Sequence, residues 1–221
     1  MINVALDGPA GSGKSTVAKF LANKLNILYL DTGALYRAVG LYALQNGVDV
    51  EDEEKVEKLL ESLDLQIEYS DGKQITKLSG KDVSKEIRQN EVSNLASKIS
   101  ALKCVRAKLL STQRDIAKSM DCILDGRDIG TTVLPNAEYK FFITASVDCR
   151  AKRRYNELLE KGEKVEFEQL KKEIEERDYR DSHRKIAPLK KADDAVEIDT
   201  SDLNIEQVCQ EVLKRIKCFI Q

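Results

Sequence analysis

A glycine-rich segment near the start of the chain has the clearest chemical signature in the sequence. It reads Gly8-Pro9-Ala10-Gly11-Ser12-Gly13-Lys14-Ser15-Thr16, and its first eight residues match G-x-x-x-x-G-K-[ST] in full. Backbone N–H groups in such a loop turn inward and bind phosphate oxygens at a helix N-terminus. Lys14 can bridge the β- and γ-phosphates, and the Ser15 hydroxyl can bind Mg²⁺. The segment therefore predicts a site for a nucleoside triphosphate, with water or a second substrate as the phosphoryl acceptor.

A second segment, with the sequence LDTGALYR, joins an apolar run to a helical pattern. Asp31 or Thr32 is expected to cap the helix, because short polar side chains accept hydrogen bonds from the first free N–H groups. Arg37 lies about one turn inside this helix, on the same face as Gly33. A planar guanidinium at that place can hold a phosphate, so the segment predicts an anion contact beside the glycine-rich loop.

A third segment, with the sequence LDGRDIGT, brings Asp125, Arg127 and Asp128 to the end of an apolar run. In α/β sheets the carboxyl ends of the strands meet at one edge, where ligands bind. We therefore expect these side chains to contact a ligand rather than to form only a salt-bridged turn. No N-K-x-D element of the kind that reads guanine follows a candidate strand, which argues against a GTPase.

The apolar pattern alternates between short runs and longer segments of helical period, which predicts an α/β fold with a parallel sheet covered by helices on both faces. The candidate strands are Ile2–Leu6, Ile27–Leu30, Cys122–Leu124, Lys140–Thr144 and Ala195–Ile198. The candidate helices are Lys14–Leu25, Gly33–Gln45, Lys103–Lys118, Asp148–Lys161, Phe167–Arg184 and Ile205–Phe219. We expect residues 1–58 and 98–221 to form this five-stranded core.

The connection between the second and third candidate strands is far longer than most α/β connections. Leu65–Tyr69 and Ile75–Leu78 flank the turn signal Asp71-Gly72, and together they predict a small hairpin. Helical spacing follows over Val83–Ile87 and Val92–Leu102. We expect residues 59–97 to form a small α/β insert on the core.

The composition restricts the possible classes of function. The 221 residues include 36 Lys+Arg and 38 Asp+Glu, a net charge of -2 that argues against general binding of nucleic acid or an anionic membrane. The sequence has no signal-peptide pattern and no apolar run long enough for a membrane span. Its five cysteines include no C-x-x-C pair. We expect a cytoplasmic protein with reduced core thiols and no metal–thiolate site, and a monomer because no coiled-coil pattern is present.

The three segments above, together with the C-terminal stretch ERDYRDSHRKIAPLKKADDAVEIDTSDL, closely resemble the long form of the bacterial cytidylate (CMP) kinase family. The resemblance covers nearly the whole chain, including the insert. It implies Mg²⁺-dependent transfer of the γ-phosphoryl group of ATP onto CMP and dCMP, giving the diphosphate and ADP. It also implies a mobile helical lid over ATP at about residues 148–164, a segment that contains Arg150.

The resemblance also implies roles for individual residues. ATP would be bound by the loop from Gly8 to Thr16 and by the lid residues Arg153 and Arg154. The CMP-binding residues would be Thr32, Arg37, Ser97, Arg106, Asp125, Arg127, Asp128, Arg177, Asp181 and Arg184. Lys14, Arg127 and Arg184 would act on the migrating phosphoryl group, and Ser15 would bind the metal. Ser93 competes with Ser97 for contact with the base, because serines stand at several nearby positions.

Two other functions are consistent with a phosphate-binding loop. One is a different small kinase that acts on UMP or another small acceptor, and the other is a switch module that binds a triphosphate and signals to a partner. His183 is the single histidine of the chain, and it invites a general-base role. Since a phosphate oxygen needs little proton abstraction to act as a nucleophile, we expect His183 to be a surface residue instead.

Overall fold

Two β-sheets organise the chain in the computed structural model, which describes residues 1–70 and 72–216. The strands are β1 (Asn3–Asp7), β2 (Leu28–Asp31), β3 (Leu65–Ser70), β4 (Lys73–Leu78), β5 (Lys81–Asp82), β6 (Cys122–Gly126), β7 (Tyr139–Thr144) and β8 (Val196–Asp199). Five of them form a parallel sheet in the order β2-β6-β1-β7-β8, and β3, β4 and β5 form a separate antiparallel sheet.

The helices are α1 (Lys14–Leu25), α2 (Thr32–Gln45), α3 (Glu53–Glu61), α4 (Asn90–Ile99), α5 (Lys103–Ser119), α6 (Val147–Glu160), α7 (Phe167–His183) and α8 (Ile205–Leu213). A 3₁₀ turn at Glu86–Arg88 precedes α4, and a π-helical turn at Ile129–Val133 follows β6. Within residues 1–70 and 72–216, no helix is long and apolar enough to cross a membrane.

The central strand β1 shows why the parallel sheet is covered on both faces. Val4 and Leu6 belong to a buried cluster with residues of α1 and α8, whereas Ala5 between them packs with residues of β2, α5 and β6. Alternate side chains of a strand point to opposite faces, so two helical layers are required to cover β1. The carboxyl ends of β1, β2 and β6 therefore lie together at one edge, and each leads directly into one of the three predicted motifs.

The predicted fold class is confirmed. All five candidate strands are present with ends shifted by one or two residues, and α1 has the predicted bounds. The predicted hairpin is also present as β3 and β4, although Asp71 of its turn signal lies outside the described residues.

Several details of the prediction were wrong. Val83–Ile87 does not form a regular helix, because the chain pairs β5 with β4 and then makes only the 3₁₀ turn. The segment Val92–Leu102 is not one helix, since α4 ends at Ile99 and α5 begins at Lys103.

The ends of two further helices also differ from the prediction. Helix α7 ends one residue before Arg184, whose extended backbone follows the last turn. Helix α8 ends at Leu213 rather than at Phe219, and residues 217–221 lie outside the described part of the chain.

Candidate active site

The glycine-rich loop and the carboxyl edge of the sheet enclose two neighbouring cavities. One has a volume of about 370 Å³ and lies against α2, α4 and α7. Most of the residues expected to bind the phosphoryl acceptor line it, so we call it the acceptor cavity. The other has a volume of about 360 Å³ and lies between the loop and α6, and we call it the donor cavity because residues expected to bind the triphosphate line it. Both cavities are lined by Gly11, Lys14, Ser15 and Arg154.

The loop after β1 has the backbone that phosphate binding requires. Gly8 has φ +143°, and a Cβ atom there would lie 2.0 Å from the carbonyl oxygen of Ile143, so only glycine fits. Lys14 begins α1 and is buried, with its Nζ donating to the carbonyl oxygen of Pro9 at 2.7 Å. Burial and the charge of Arg127 lower the pKa of Lys14 to about 7. An anion beside Lys14 would therefore stabilise its charged form.

Ser15 and Asp125 form the closest polar contact between the loop and β6. The Ser15 hydroxyl donates to Oδ2 of Asp125 at 2.5 Å. Burial and the charge of Asp31 raise the pKa of Asp125 to about 6, so a cation here would offset the cost of the buried carboxylate. Hydroxyl and carboxylate oxygens are the hard ligands that Mg²⁺ prefers, usually in combination with phosphates and water. This pair therefore fits the magnesium ion that accompanies a nucleoside triphosphate.

Asp31 brings two arginines to the wall of the acceptor cavity. Its carboxylate accepts from Arg37 at 2.8 Å and from Arg88 at 3.2 Å. The same side chain caps α2 by accepting from the backbone N–H of Ala34. Burial opposes ionisation of Asp31, but the two guanidinium groups hold the pKa of its carboxyl below the usual value. Asp31 is therefore a charged anchor for both arginines.

Arg127 and Asp181 form a second charged pair in the acceptor cavity. Nε of Arg127 donates to Oδ2 of Asp181 at 2.9 Å, which joins the end of β6 to α7. Arg177 lies one turn before Asp181, and its Nε is buried without a hydrogen-bond partner among the described residues. Burial and the neighbouring charge of Arg127 lower the pKa of Arg177 to about 10. An anionic or hydroxyl-bearing ligand in this cavity would satisfy that free donor.

Asp128 lines the acceptor cavity and accepts hydrogen bonds from two arginines. Arg106 donates to Oδ2 of Asp128, and Arg184 donates to its Oδ1 at 3.1 Å. Arg106 also donates to the carbonyl oxygen of Ser100, and its guanidinium lies 5.7 Å from the centre of the Tyr36 ring. Asp128 and Arg184 line the acceptor cavity, whereas Arg106 lines neither cavity and is joined to this one through its hydrogen bond to Asp128.

Comparison with known proteins identifies the family of this chain. Residues 4–218 match the family model described as cytidylate kinase. The chain belongs to the cytidylate kinase family. The cytidylate kinase of Caldicellulosiruptor bescii is 51% identical over 213 residues, covering 96% of this chain and 94% of that protein. The cytidylate kinase of Pediococcus pentosaceus is 50% identical over 214 residues, covering 97% and 95%. The family predicted from the motifs is thus confirmed.

A solved structure supports the fold alone. An uncharacterised protein from Eubacterium ventriosum superposes with a TM-score of 0.56 at 14% sequence identity, and the match covers 99% of both chains. Similarity of backbone at this level of identity is consistent with many chemistries, so the site has to be argued from its own residues.

The structure brings most of the residues predicted from the family resemblance into one of the two cavities. The acceptor cavity contains Thr32, Arg37, Ser97, Asp125, Arg127, Asp128, Arg177, Asp181 and Arg184. The donor cavity contains Gly11, Gly13, Lys14, Ser15, Thr16, Arg153 and Arg154. Ala10 lines the acceptor cavity, whereas Gly8, Pro9 and Ser12 line neither cavity. The carbonyl oxygens of Pro9 and Ser12 accept hydrogen bonds from Lys14 and Thr200.

Sequence reasoning missed four polar or aromatic side chains that line the acceptor cavity: Asp31 as an anchor for arginines, Tyr36, Arg88 and Ser100. Asp31 and Tyr36 lie in the LDTGALYR segment, so its polar and aromatic positions were a usable signal. Arg88 had no such signal, because only the folded insert brings it next to Asp31.

Two other predictions concern side chains outside the charged pairs. Ser97 lines the acceptor cavity and its Oγ is buried without a partner among the described residues, whereas the Ser93 hydroxyl donates to the carbonyl oxygen of Gln89. His183 is exposed and stacks on Tyr179, with ring centroids 4.0 Å apart. Neither cavity is lined by His183, in agreement with the expectation that it is a surface residue.

Proposed function

We propose that the protein transfers the γ-phosphoryl group of ATP to the 5′-phosphate of CMP and of dCMP. An oxygen of the monophosphate forms the new bond to the γ-phosphorus, the bond between that phosphorus and the β-phosphate oxygen breaks, and the products are CDP or dCDP and ADP. The observation that carries the proposal is a cavity lined by arginines and carboxylates that shares Lys14 and Ser15 with a phosphate-binding loop, in a chain of the cytidylate kinase family.

The donor side would bind ATP through the loop and the lid arginines. Lys14 would leave the Pro9 carbonyl and bind the β- and γ-phosphates, which restores its full charge. Ser15 and Asp125 would hold the magnesium ion, which neutralises phosphate charge when it is bound. Arg153 and Arg154 of α6 line the donor cavity and would contact the triphosphate from the lid.

The acceptor phosphate would bind among Arg37, Arg127 and Arg184, beside Thr32. The guanidinium groups lie in the same cavity, and each is now held by a carboxylate or carbonyl oxygen. Bidentate contacts from such groups orient a phosphate and neutralise its charge. Catalysis by these residues consists of alignment and charge stabilisation, because a phosphate oxygen requires no general base.

The base would be read by Ser97 and Asp128, which line the acceptor cavity, and by Arg106, which is hydrogen-bonded to Asp128. Cytosine presents an amino group that needs an acceptor, and O2 and N3 atoms that need donors. Asp128 offers carboxylate oxygens, and Arg106 offers guanidinium N–H groups. The unpartnered Oγ of Ser97 supports its choice over Ser93. Arg177 and Asp181 would contact the ribose, with a free Nε on Arg177 available to it.

The larger arrangement follows from the same proposal. We assign residues 1–58 and 98–221 to the core, 59–97 to an insert on the monophosphate side, and about 148–164 to the lid. Closure of the lid and the insert over the cavities would exclude water and suppress hydrolysis of ATP. We further propose that the enzyme acts as a cytoplasmic monomer. The thiols of Cys104, Cys122, Cys149 and Cys209, which are the cysteines within the described residues, are unpaired, and Cys122 and Cys209 are buried.

The test is ADP release measured with a coupled assay across a panel of monophosphates. We expect turnover with CMP and dCMP, weaker turnover with UMP, and little with AMP or GMP. Turnover on AMP or GMP without turnover on CMP would refute the proposal. Thermal unfolding with and without CMP separates a kinase from a switch module, since a ligand that binds only the folded protein raises its melting temperature.

A further inference from the structure

A side chain of the antiparallel sheet forms hydrogen bonds with the edge of the parallel sheet. Strand β2 lies at the end of the strand order, so the outer side of its backbone has no neighbouring strand in that sheet. Oε1 of Gln74, on β4, accepts from the backbone N–H of Asp31 at 2.8 Å. Nε2 of Gln74 donates back to the carbonyl oxygen of Asp31 at 3.4 Å. The carboxamide thus takes the place of a strand at this one residue.

Asp31 is also the residue on which the acceptor-side arginines meet. Its carboxylate holds Arg37 from α2 and Arg88 from the insert, and both arginines line the acceptor cavity. Two residues of the segment 59–97 therefore contact Asp31, with Gln74 on its backbone and Arg88 on its side chain. The next residue, Thr32, donates to the carbonyl oxygen of Asp125 at 2.7 Å and lines the same cavity.

We propose that Gln74 is a positioning residue for the acceptor side of the active site, a role that rests on the proposed function above. Its carboxamide fixes the insert against the end of β2. The carboxylate of Asp31 then holds Arg37 and Arg88 where both can contact the acceptor phosphate. Gln74 does not line either cavity, so it acts through Asp31 rather than on a substrate. Its loss should weaken binding of the monophosphate and leave binding of ATP unchanged.

The experiment compares wild-type protein with Gln74→Met, which keeps the length of the side chain and removes both hydrogen bonds. We expect the KM for CMP to rise roughly tenfold, while the KM for ATP changes by less than about twofold, the size of effect that two lost hydrogen bonds give. Gln66→Met is the matched control, because Gln66 is exposed on β3 of the same hairpin and bonds only to Asp64 within the described structure. The control should keep wild-type values of both constants.

Gln74→Glu provides the conservative variant, since its carboxylate can accept from the Asp31 N–H but cannot donate to the carbonyl oxygen. Its KM for CMP should lie between those of wild type and Gln74→Met. Amide hydrogen exchange at Asp31 gives a readout that does not depend on catalysis, and it should be faster in Gln74→Met than in wild type or Gln66→Met.

The outcomes separate the two proposals. If wild type phosphorylates CMP and Gln74→Met has wild-type constants, or both KM values rise together, the positioning role is wrong while the proposed function stands. If Asp31 exchange is the same in all variants, the contact itself is not formed in solution and the role is wrong. If wild-type protein does not phosphorylate CMP, the proposed function fails and the positioning role fails with it.

Discussion

The donor and acceptor cavities hold their cations in different ways. On the donor side, Lys14 donates to the carbonyl oxygen of Pro9, and Arg153 donates to the hydroxyl and carbonyl oxygens of Thr200. These partners are uncharged, whereas the partly exposed Arg154, which lines both cavities, contacts the carboxylate of Glu157 at 2.9 Å. On the acceptor side, the partners are carboxylates: Arg37 and Arg88 contact Asp31, Arg127 contacts Asp181, and Arg106 and Arg184 contact Asp128.

The difference indicates how each side selects its ligand. A buried guanidinium without a counter-charge is costly, so the crowded acceptor cavity needs its aspartates to keep the arginines in place before a substrate arrives. A phosphate that binds here must compete with those carboxylates for the arginines. Binding is therefore favourable only for a ligand that replaces the hydrogen bonds of the whole network. Among the described cationic residues that line the donor cavity, only the partly exposed Arg154 contacts a carboxylate, so the main requirement there is a polyphosphate chain that fits the backbone of the loop.

The largest expected effect comes from Lys14→Met, which removes a buried cation that lines both cavities. We expect kcat to fall by roughly 10²–10³-fold, the usual loss when one preorganised charge at the reacting group is removed. Steady-state kinetics with ATP and CMP measure this effect. Lys24→Met, on the exposed side of the last turn of α1, is the control and should keep wild-type activity. A Lys14→Met variant with near wild-type kcat would show that the loop does not bind the transferred group.

Arg106→Met should act on the acceptor side alone. It leaves Asp128 with one arginine fewer in a buried place, and truncation of such a pair raises the KM for CMP by about 10- to 100-fold. The KM for ATP should change by less than about twofold, because Arg106 does not line the donor cavity. Lys108→Met, exposed on the same helix, is the control. Equal increases in both KM values would contradict the division into two sides.

Arg153→Met should show the reverse pattern with a smaller effect. Arg153 lines the donor cavity and not the acceptor cavity, and its present partner is neutral. We expect the KM for ATP to rise about three- to tenfold, as for the loss of one charged hydrogen-bond donor, and the KM for CMP to stay unchanged. Lys152→Met, its exposed neighbour on α6, serves as the control. An effect confined to the KM for CMP would contradict the assignment of Arg153 to the donor side.

The smallest expected effect concerns the stability of the protein without ligands. The pKa of Lys14 is about 7 in the folded protein and 10.5 in a free lysine, so the unfolded chain binds more protons between these values. The contribution of Lys14 to the free energy of unfolding should therefore rise with pH from about 7 to about 10.5. Lys14→Met lacks this contribution. Its stability advantage over wild type should be greatest below pH 7, amount to at most a few kcal/mol, and shrink as the pH rises.

Chemical denaturation at several pH values measures that difference. Lys24→Met corrects for the general effect of losing a surface lysine. A difference that grows with pH in this window would mean that Lys14 is not destabilised by burial.

The same contrast explains what could be read from the sequence. The donor loop is one contiguous motif between an apolar strand and an amphipathic helix, so its position and the bounds of α1 were predictable. Strands β1, β2 and β6 are largely buried apolar runs, and only their ends were uncertain. Ser97 and Arg106 were found through the family resemblance, because nothing in their local sequence marks them.

The part of the chain from α3 to α4 was harder to predict for physical reasons. Helix α3 has a usable signal, with Asp52 as cap and Val56, Leu59 and Leu60 on one face, and was overlooked. Strand β5 has only two residues, too few for any pattern. The contacts of Gln74 and Arg88 with Asp31 join residues that are distant in the chain and have no charge or spacing signal that connects them.

The order of strands in the parallel sheet has a consequence for how the protein is made. On β1, Val4 pairs with Ile123 on one side and with Tyr139 on the other, so both neighbours of this strand are synthesised long after it. The hairpin of β3 and β4 pairs residues that are close in the chain and can form early. During synthesis from the N-terminus, the strand that precedes the phosphate-binding loop gains its neighbouring strands only after β6 and β7 have been made. Nascent chains that stop before β7 should therefore contain a folded hairpin and no capacity to bind ATP.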